Sequence, residues 1–394
     1  TDKAVLHADN GAKVEIDGKV KIVETNGNEA IKVGKGAEVV IGGGEIGSEN
    51  ADVAICIEDN GKIAINQNRL HKVVTNGDIV FVEAQPNAGA DSVVRKAIYA
   101  TKDSVHNGYI VNNTDTKKDF AVEFSKGAQW NGGAQGMNLD VLLSGDGTAW
   151  IGNYDETTVL DLQIEDGATW KVQDKIATFA MTANTTNVAT MKGEGGFVEM
   201  GADAMNIEKY SGSTTFIYKN QDGNIADGGD LTIQEVDGDK ATVNLRTGSI
   251  GTTEEDKVVK TLNDLADKLT YGGSQDAEKT KLSGELQIDE GLMTGTTKIT
   301  FAGIKFNADG TVTDVTADDV EFRGNSGSSG GSVNVQETTT VRTAKSAMAS
   351  TVMMWRNESN DLLQRMGDVR LATEESGAWA KYYDQPYGTF VAPT

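Results

Sequence analysis

The chain of 394 residues contains little cysteine, proline or histidine: one Cys, three Pro and three His. A single cysteine excludes a disulfide framework within the chain, and three histidines without ligand spacing leave no zinc motif. No run of about 18 to 20 apolar residues is present, so no transmembrane helix is predicted. Basic residues are outnumbered by acidic ones, 36 to 59, and the net charge is −23 at pH 7. This balance argues against a partner that is a nucleic acid or an anionic lipid surface.

Glycine is abundant, with 46 positions, and several glycines fall in a repeated pattern. Trp130, Trp150 and Trp170 lie 20 residues apart, and each ends a Gly-x-x-Trp tetrapeptide. Upstream, residues 30–41 align with residues 54–65 at an offset of 24. Self-similarity at such a period indicates an architecture built from structural repeats.

Apolar and polar residues alternate within the repeats, for example at 120–124 and 160–164. A period of two is typical of a strand with one buried face, and Gly beside Asn or Asp marks the turns. Such short units cannot bury their apolar faces alone and must stack on their neighbours. The sequence therefore predicts an all-β fold, a right-handed parallel β-helix (solenoid) of about 11 layers. A β-sandwich and a propeller are the competing folds, and the propeller is disfavoured because its blades need about 40 residues.

The alternation stops between residues 252 and 273. Val258, Leu262, Leu265 and Leu269 follow the i, i+4, i+7, i+11 spacing of an amphipathic helix. The sequence therefore predicts an inserted amphipathic helix over 252–273, which packs on the solenoid.

Near the C-terminus the composition changes again. Residues 344–371 contain Ala, Met and Leu with no Gly before Gly367, and they predict a C-terminal α-helix. The predicted segments are the β-helix at 1–251, the inserted helix at 252–273, further β segments at 274–323, a Gly/Ser-rich flexible linker at 324–343, the C-terminal α-helix at 344–371 and a strand segment at 377–394.

Two short motifs resemble a known family. The run from Asn360 to Arg370, followed by Gly-Ala-Trp-Ala from Gly377, resembles the junction of passenger and barrel in classical (type Va) autotransporters. The segments 193–200 and 210–216 are similar to the C-terminal layers of pertactin-like passengers. The junction motif here consists of Arg365, Met366, Gly367, Asp368, Arg370, Gly377 and Trp379. The insertion at 252–273 departs from that family, whose members often pass more directly from passenger to pore helix.

The resemblance implies an extracellular passenger on the bacterial cell surface, secreted through its own outer-membrane barrel by type V secretion. It makes 344–371 the helix that spans the barrel pore and 377–394 the start of the first barrel strand. The expected function is that of a cell-surface adhesin or self-association protein, with a role in virulence. The expected partners are the barrel, the outer membrane, and either a host-cell or bacterial-surface ligand (glycan or protein) or a second copy of the chain.

No catalytic, cofactor-binding or metal-ligating residue is identified, and no cofactor is expected. Acids such as Asp140, Asp161 and Glu165 are scattered along the repeats, which is typical of a solvated face. One alternative function is a polysaccharide-binding or polysaccharide-cleaving β-helix protein, since β-helices commonly carry such sites; cleavage would require clustered carboxylates. A purely structural surface-layer component is the other alternative.

Two kinds of side chain have an expected orientation. Trp130, Trp150 and Trp170 each follow a turn glycine, and we expect them to stack in the core rather than present a row of sugar-binding faces. Cys56 is out of phase with its apolar neighbours and is expected to point outward.

One position carries a chemical hypothesis that comes from the resemblance. Some members of the family separate passenger from barrel by cyclisation of an asparagine in the pore helix. The matching residue is Asn360, and the Asp361 that follows it replaces the second Asn of those members. If the full-length protein cleaves itself here, mass spectrometry of the released passenger will give a C-terminus at Asn360. A terminus at any other residue contradicts the hypothesis.

Overall fold

The structure is a computed structural model. It describes residues 4–24, 29–48, 53–58, 61–65, 71–82, 96–113, 119–173, 185–219, 225, 228–238, 240–250, 255–290, 293–300, 302–306, 312–316, 336–337 and 343–356.

The fold is all-β and solenoid-like, and its first eleven layers contain the following strands. Layers one to four are β1 (Leu6–Ala8), β2 (Lys13–Ile16) and β3 (Val20–Glu24); β4 (Ile31–Val33), β5 (Glu38–Ile41) and β6 (Gly44–Ser48); β7 (Val53–Ile57), β8 (Lys62–Ile65) and β9 (Val73–Asn76); and β10 (Asp78–Phe81), β11 (Lys96–Thr101) and β12 (Val105–Asn107). Layers five to seven are β13 (Ile110–Asn112), β14 (Asp119–Ser125) and β15 (Gln129–Asn131); β16 (Ala134–Gln135), β17 (Asn138–Ser144) and β18 (Ala149–Gly152); and β19 (Val159–Glu165) and β20 (Thr169–Val172). Layers eight to eleven are β21 (Thr185–Glu199); β22 (Ala204–Tyr218); β23 (Leu231–Val236) and β24 (Ala241–Ile250); and β25 (Leu269–Tyr271) and β26 (Thr280–Glu290).

The remaining elements interrupt or follow these layers. They are α1 (Glu255–Ala266), α2 (Ser274–Glu278), β27 (Met293–Thr300), β28 (Ala302–Phe306), β29 (Val312–Thr316), β30 (Gln336–Glu337) and a helix over residues 343–356, here called α3. Strand β27 pairs with β26 in antiparallel orientation, and β28 pairs with β29 in the same way.

The strands of successive layers form three parallel stacks. Stack 1 contains β1, β4, β7, β10, β13 and β16. Stack 2 runs from β2 through β5, β8, β11, β14, β17 and β19, and stack 3 runs from β3 through β6, β9, β12, β15, β18 and β20. The long strands β21 and β22 belong to both stacks 2 and 3, which β23 to β26 then extend. From layer one to layer eleven, the strands of successive layers thus pair in parallel orientation.

The core forms because equivalent residues stack in register. In stack 1, Ile31 pairs with Ile55, Ile55 with Ile79, and Ile79 with Ile110, and all four side chains are fully buried. Branched aliphatic side chains favour strands, and adjacent strands lie about 4.8 Å apart, so identical side chains pack on one another along the core. Each layer therefore buries its apolar face against its two neighbours.

The helix predicted over 252–273 is shorter than expected. Helix α1 ends at Ala266, and Leu269 begins strand β25 instead of continuing the helix. Leu269 pairs with Leu231 in stack 2, where the Leu231 amide donates to the Lys268 carbonyl (N···O 2.7 Å). The open edge of β23 supplies hydrogen bonds that outweigh the helical periodicity. Leu265 and Ala266, at the end of α1, are buried in the core.

The chain from Glu337 onward forms a second compact unit, described by itself. Its main described element is α3, in which every residue from 343 to 356 is exposed. Most of the predicted linker 324–343 and all of 357–394 lie outside the described residues. Among the helices of the described ranges, none combines the length and apolar character needed to cross a membrane.

We predict that Gly132→Ala destabilises the solenoid. A Cβ at Gly132 would overlap the Gly108 carbonyl oxygen of the layer before, because the backbones meet closely at this corner. The free energy of unfolding should fall by about 2 kcal/mol or more, measured by denaturant unfolding. Gly18→Ala is the matched control, since a Cβ there meets no atom within 4 Å. An equal effect of the two substitutions would contradict the packing argument.

Candidate binding surface

The three tryptophans predicted as repeat aromatics are buried side by side. Trp130, Trp150 and Trp170 are paired in register and have no exposed surface. Their rings are stacked, with centroids 4.6 Å apart for the first pair and 5.0 Å apart for the second. These rings are therefore part of the core and offer no face to a ligand.

Each indole N–H is bonded to the preceding layer. Nε1 of Trp130 donates to the Gly108 carbonyl (3.1 Å), Nε1 of Trp150 to that of Gly132 (2.9 Å), and Nε1 of Trp170 to that of Gly152 (3.1 Å). A buried indole needs such an acceptor. The glycine at the corner lets the backbone approach closely enough to supply it.

The same inner row of stack 3 continues in both directions with buried residues. Its members, layer by layer, are Ile22, Ile46, Thr75, His106, Trp130, Trp150, Trp170, Val198, Phe216, Leu245 and Gly284. His106 is 2% exposed, and burial lowers its pKa to about 4. Its register neighbours, Thr75 and Trp130, carry no charge. This histidine therefore stays neutral inside the fold.

The residues on either side of the inner row point outward, since side chains alternate along a strand. We call this outer surface of stack 3 the neutral face. Its members, layer by layer, are Lys21 and Val23; Glu45 and Gly47; Val74 and Asn76; Val105 and Asn107; Gln129 and Asn131; Ala149 and Ile151; Thr169 and Lys171; Phe197 and Glu199; Thr215 and Ile217; Asn244 and Arg246; and Ser283 and Glu285.

Every charge on the neutral face has a partner of opposite sign on the same face. The N···O distances are 3.7 Å for Lys21 and Glu45, 2.8 Å for Lys171 and Glu199, and 3.0 Å for Arg246 and Glu285. The Arg246 guanidinium also lies 5.2 Å from the centroid of the Phe197 ring. Three cations and three anions cancel, so this face is electrically neutral in a chain of net charge −23.

A row of amides occupies the middle of the neutral face. Nδ2 of Asn107 donates to Oδ1 of Asn76 (2.9 Å), and Nδ2 of Asn131 donates to Oδ1 of Asn107 (2.8 Å). A second amide row of the same kind lies on stack 2, where Asn206 donates to Asn187 (3.4 Å) and Gln234 donates to Asn206 (2.9 Å). Amide ladders of this kind add stability to stacked strands.

The outer surface of stack 2 differs in charge; the part formed by β14, β17 and β19 is here called the acidic face. These strands contain five acidic residues and no basic one: Asp119, Glu123, Asp140, Asp161 and Glu165. Asp140 and Asp161 are register neighbours. The adjoining strands β15, β18 and β20 contain one charged residue, Lys171. In these layers negative charge is therefore concentrated on the acidic face and absent from the adjoining strands of the neutral face.

The acids scattered along the repeats do not form one cluster. Asp140 and Asp161 lie together on the acidic face, and Glu165 is at the end of the same strand as Asp161. Glu58, by contrast, is paired with Lys32 (N···O 2.6 Å) outside stack 1. Within the described ranges, no group of three His, Cys, Asp or Glu side chains is placed to hold a metal ion.

Cys56 points outward, as expected, but is almost completely buried. It alternates with Ile55 and Ile57, as the sequence indicated, but only 8% of it is exposed. Its register neighbours on the outside of stack 1 are Lys32 and Val80, and stacking on both sides removes most of its contact with water. The side chain therefore points away from the core, as expected, and is nevertheless shielded from water.

The motif residues near the C-terminus fall outside the part of the chain that the structure describes. These are Asn360, Asp361, Arg365, Met366, Gly367, Asp368, Arg370, Gly377 and Trp379. Cleavage after Asn360 and the barrel junction stay predictions.

Comparison with known proteins gives no relative on which to base a function. No known protein family, no curated protein and no solved structure matches the chain.

The amide row of the neutral face was missed in the sequence. Its signal is the dipeptide Asn-Gly, which occurs at 76–77, 107–108 and 131–132. The spacings of 31 and 24 residues differ because the layers differ in length. Asn-Gly reads as an isolated turn signal, and only the register of β9, β12 and β15 shows that the three asparagines touch.

We predict that His106 makes the fold sensitive to acid. An unfolded histidine has a pKa near 6.5, whereas burial lowers the folded value to about 4. As the pH is lowered, the unfolded chain therefore takes up the proton at a higher pH than the folded chain does. The free energy of unfolding is at its full value above about pH 6.5 and decreases as the pH falls towards 4. The loss amounts to about 3 kcal/mol. Denaturant unfolding of the wild type and of His106→Leu between pH 7 and pH 4 measures it.

The control for that measurement is His7→Leu, which removes an exposed histidine. Its stability should follow the wild type across the same pH range, while His106→Leu should lose less stability on acidification. Parallel pH curves for all three proteins would contradict the assignment.

Proposed function

We propose that residues 1–323 form a right-handed parallel β-helix that acts as the passenger of an autotransporter, a cell-surface adhesin or self-association protein. The three parallel stacks support the β-helix, because a chain that returns to a parallel neighbour does so by a right-handed crossover in nearly all proteins. The antiparallel strand β27 covers the last edge strand, β26, as a terminal cap of a solenoid must.

The neutral face is the observation that carries the adhesive function. It extends without interruption over eleven layers and contains no unpaired charge. Adhesion requires a surface that approaches another surface closely, and unpaired charges would oppose this through desolvation and repulsion. Repetition along the layers allows many weak contacts to act together.

The helix α3 supports attachment through a pore. Met348, Val352 and Trp355 recur at i, i+4 and i+7, and each is more than half exposed. Large apolar side chains in such a row call for a surrounding partner. In the proposal this partner is the wall of the barrel, and α3 is the first part of the pore helix 344–371.

The proposal predicts adhesion of cells that display the chain. We expect Gram-negative cells displaying residues 1–323 to clump or to bind host cells, measured by settling and by counts of attached cells. Val105→Glu places an unpaired charge on the neutral face, because its register neighbours Val74 and Gln129 are uncharged, and it should reduce the effect at least twofold. Val159→Glu places the same charge on the acidic face and should leave it unchanged.

Surface labelling confirms equal display of each variant. Displayed wild-type chain that causes neither clumping nor attachment would overturn the proposed function. If both variants reduce adhesion equally, the neutral face is not the adhesive surface.

A further inference from the structure

The middle of the neutral face is free of charge. In strands β9, β12, β15 and β18 its members are Val74, Asn76, Val105, Asn107, Gln129, Asn131, Ala149 and Ile151. The nearest charges on this face, the pair Lys21–Glu45 before it and the pair Lys171–Glu199 after it, are neutralised internally. We propose that this uncharged segment binds a neutral polysaccharide, laid along the layers.

The amides have bonding capacity left for a ligand. An asparagine side chain offers two N–H donors and two acceptor lone pairs. The central Asn107 uses one donor towards Asn76 and one acceptor towards Asn131. One donor and one acceptor therefore remain, and they can bind two neighbouring hydroxyls of a sugar ring. Gln129 is exposed beside the row and adds a further amide.

Apolar side chains flank the amides, as a sugar site requires. Val74 and Val105 precede Asn76 and Asn107 by two residues, lie on the same face and are partly exposed. A sugar ring has C–H groups as well as hydroxyls, and sites for such ligands combine apolar contacts with a few placed polar groups. The layer spacing of about 4.8 Å is close to the length of one sugar ring, so successive rings meet equivalent side chains.

Charge decides between neutral and acidic ligands. The segment has no unpaired cation for a carboxylate or sulfate group, and the chain as a whole carries −23. At physiological ionic strength charges act over about 8 Å, so the adjoining acidic face repels a polyanion but not a neutral chain.

The area of the neutral face is too small for stable binding of a second copy of this chain. Eleven layers extend about 50 Å, and strands of three to four residues give a width of about 10 to 13 Å. The neutral face therefore buries roughly 500 to 650 Å² on each partner, below the roughly 800 Å² of a standard interface. Repulsion between two chains of this charge opposes pairing further.

The inference rests on the proposed adhesive function for its biological meaning, but its test needs only purified protein. The probes are dextran, mannan and galactomannan as neutral polysaccharides and hyaluronan as an acidic one, with binding measured by affinity electrophoresis and calorimetry. We expect at least one neutral polysaccharide to bind and hyaluronan not to bind.

The chain offers a closely matched pair of variants. Asn107→Asp changes the central amide of the row on the neutral face, and Asn206→Asp changes the central amide of the row on stack 2. Both are isosteric and add one negative charge within a ladder. We expect Asn107→Asp to weaken binding at least tenfold and Asn206→Asp to change it less than twofold. If Asn107→Asp does not fold, Asn76→Ala at the exposed end of the row replaces it, with an expected loss of at least threefold.

Three results would overturn the inference: equal loss in both aspartate variants, binding of hyaluronan alone, or no binding of any neutral polysaccharide. The last result together with cell clumping and a dimer in sedimentation velocity would assign the neutral face to a second copy. In that case the adhesive function would stand without a glycan. If a neutral polysaccharide binds but the displayed chain causes no cell adhesion, the binding site is supported and the proposed adhesive function is overturned.

Discussion

In-register parallel stacking is the constraint on which the whole structure depends. Each side chain lies about 4.8 Å from the side chain at the same position in the next layer, so every position is repeated along a row. A row of like charges repels itself, whereas a row of apolar, aromatic or amide groups is stabilised by stacking. The fold therefore selects residue types by row, as Trp130, Trp150 and Trp170 do inside and Asn76 and Asn107 do outside.

Charged residues satisfy this constraint by alternating in sign between layers. Lys13 pairs with Glu38, and Lys171 with Glu199, in each case across two adjacent strands. Exposed pairs of this kind add little stability, about 0 to 1 kcal/mol. Their effect is on the character of the surface, because a face whose charges are paired within itself presents no net field to a partner.

The sequence was sufficient for the general fold and insufficient for the surface. Alternation and the Trp130 to Trp170 spacing predict stacked strands because both are local patterns. Two features do not follow from local periodicity: stack 1 ends near Tyr154, and Leu269 begins a strand. Both depend on which strand edge of the preceding layer is free to pair. The burial of Cys56 and the contact between asparagines depend on register in the same way. Register between layers of unequal length cannot be counted from the sequence alone.

The acidic and neutral faces together give a surface that selects partners by their charge. On the acidic face Asp140 and Asp161 are neighbours, which works against stacking and therefore has a cost in stability. Acids held there keep copies of the chain and other anionic polymers at a distance. The neighbouring neutral face has no such barrier, so an uncharged partner can approach it, whereas a polyanion is repelled by the acidic face beside it. Selectivity of this kind comes from repulsion on one face as much as from contacts on the other.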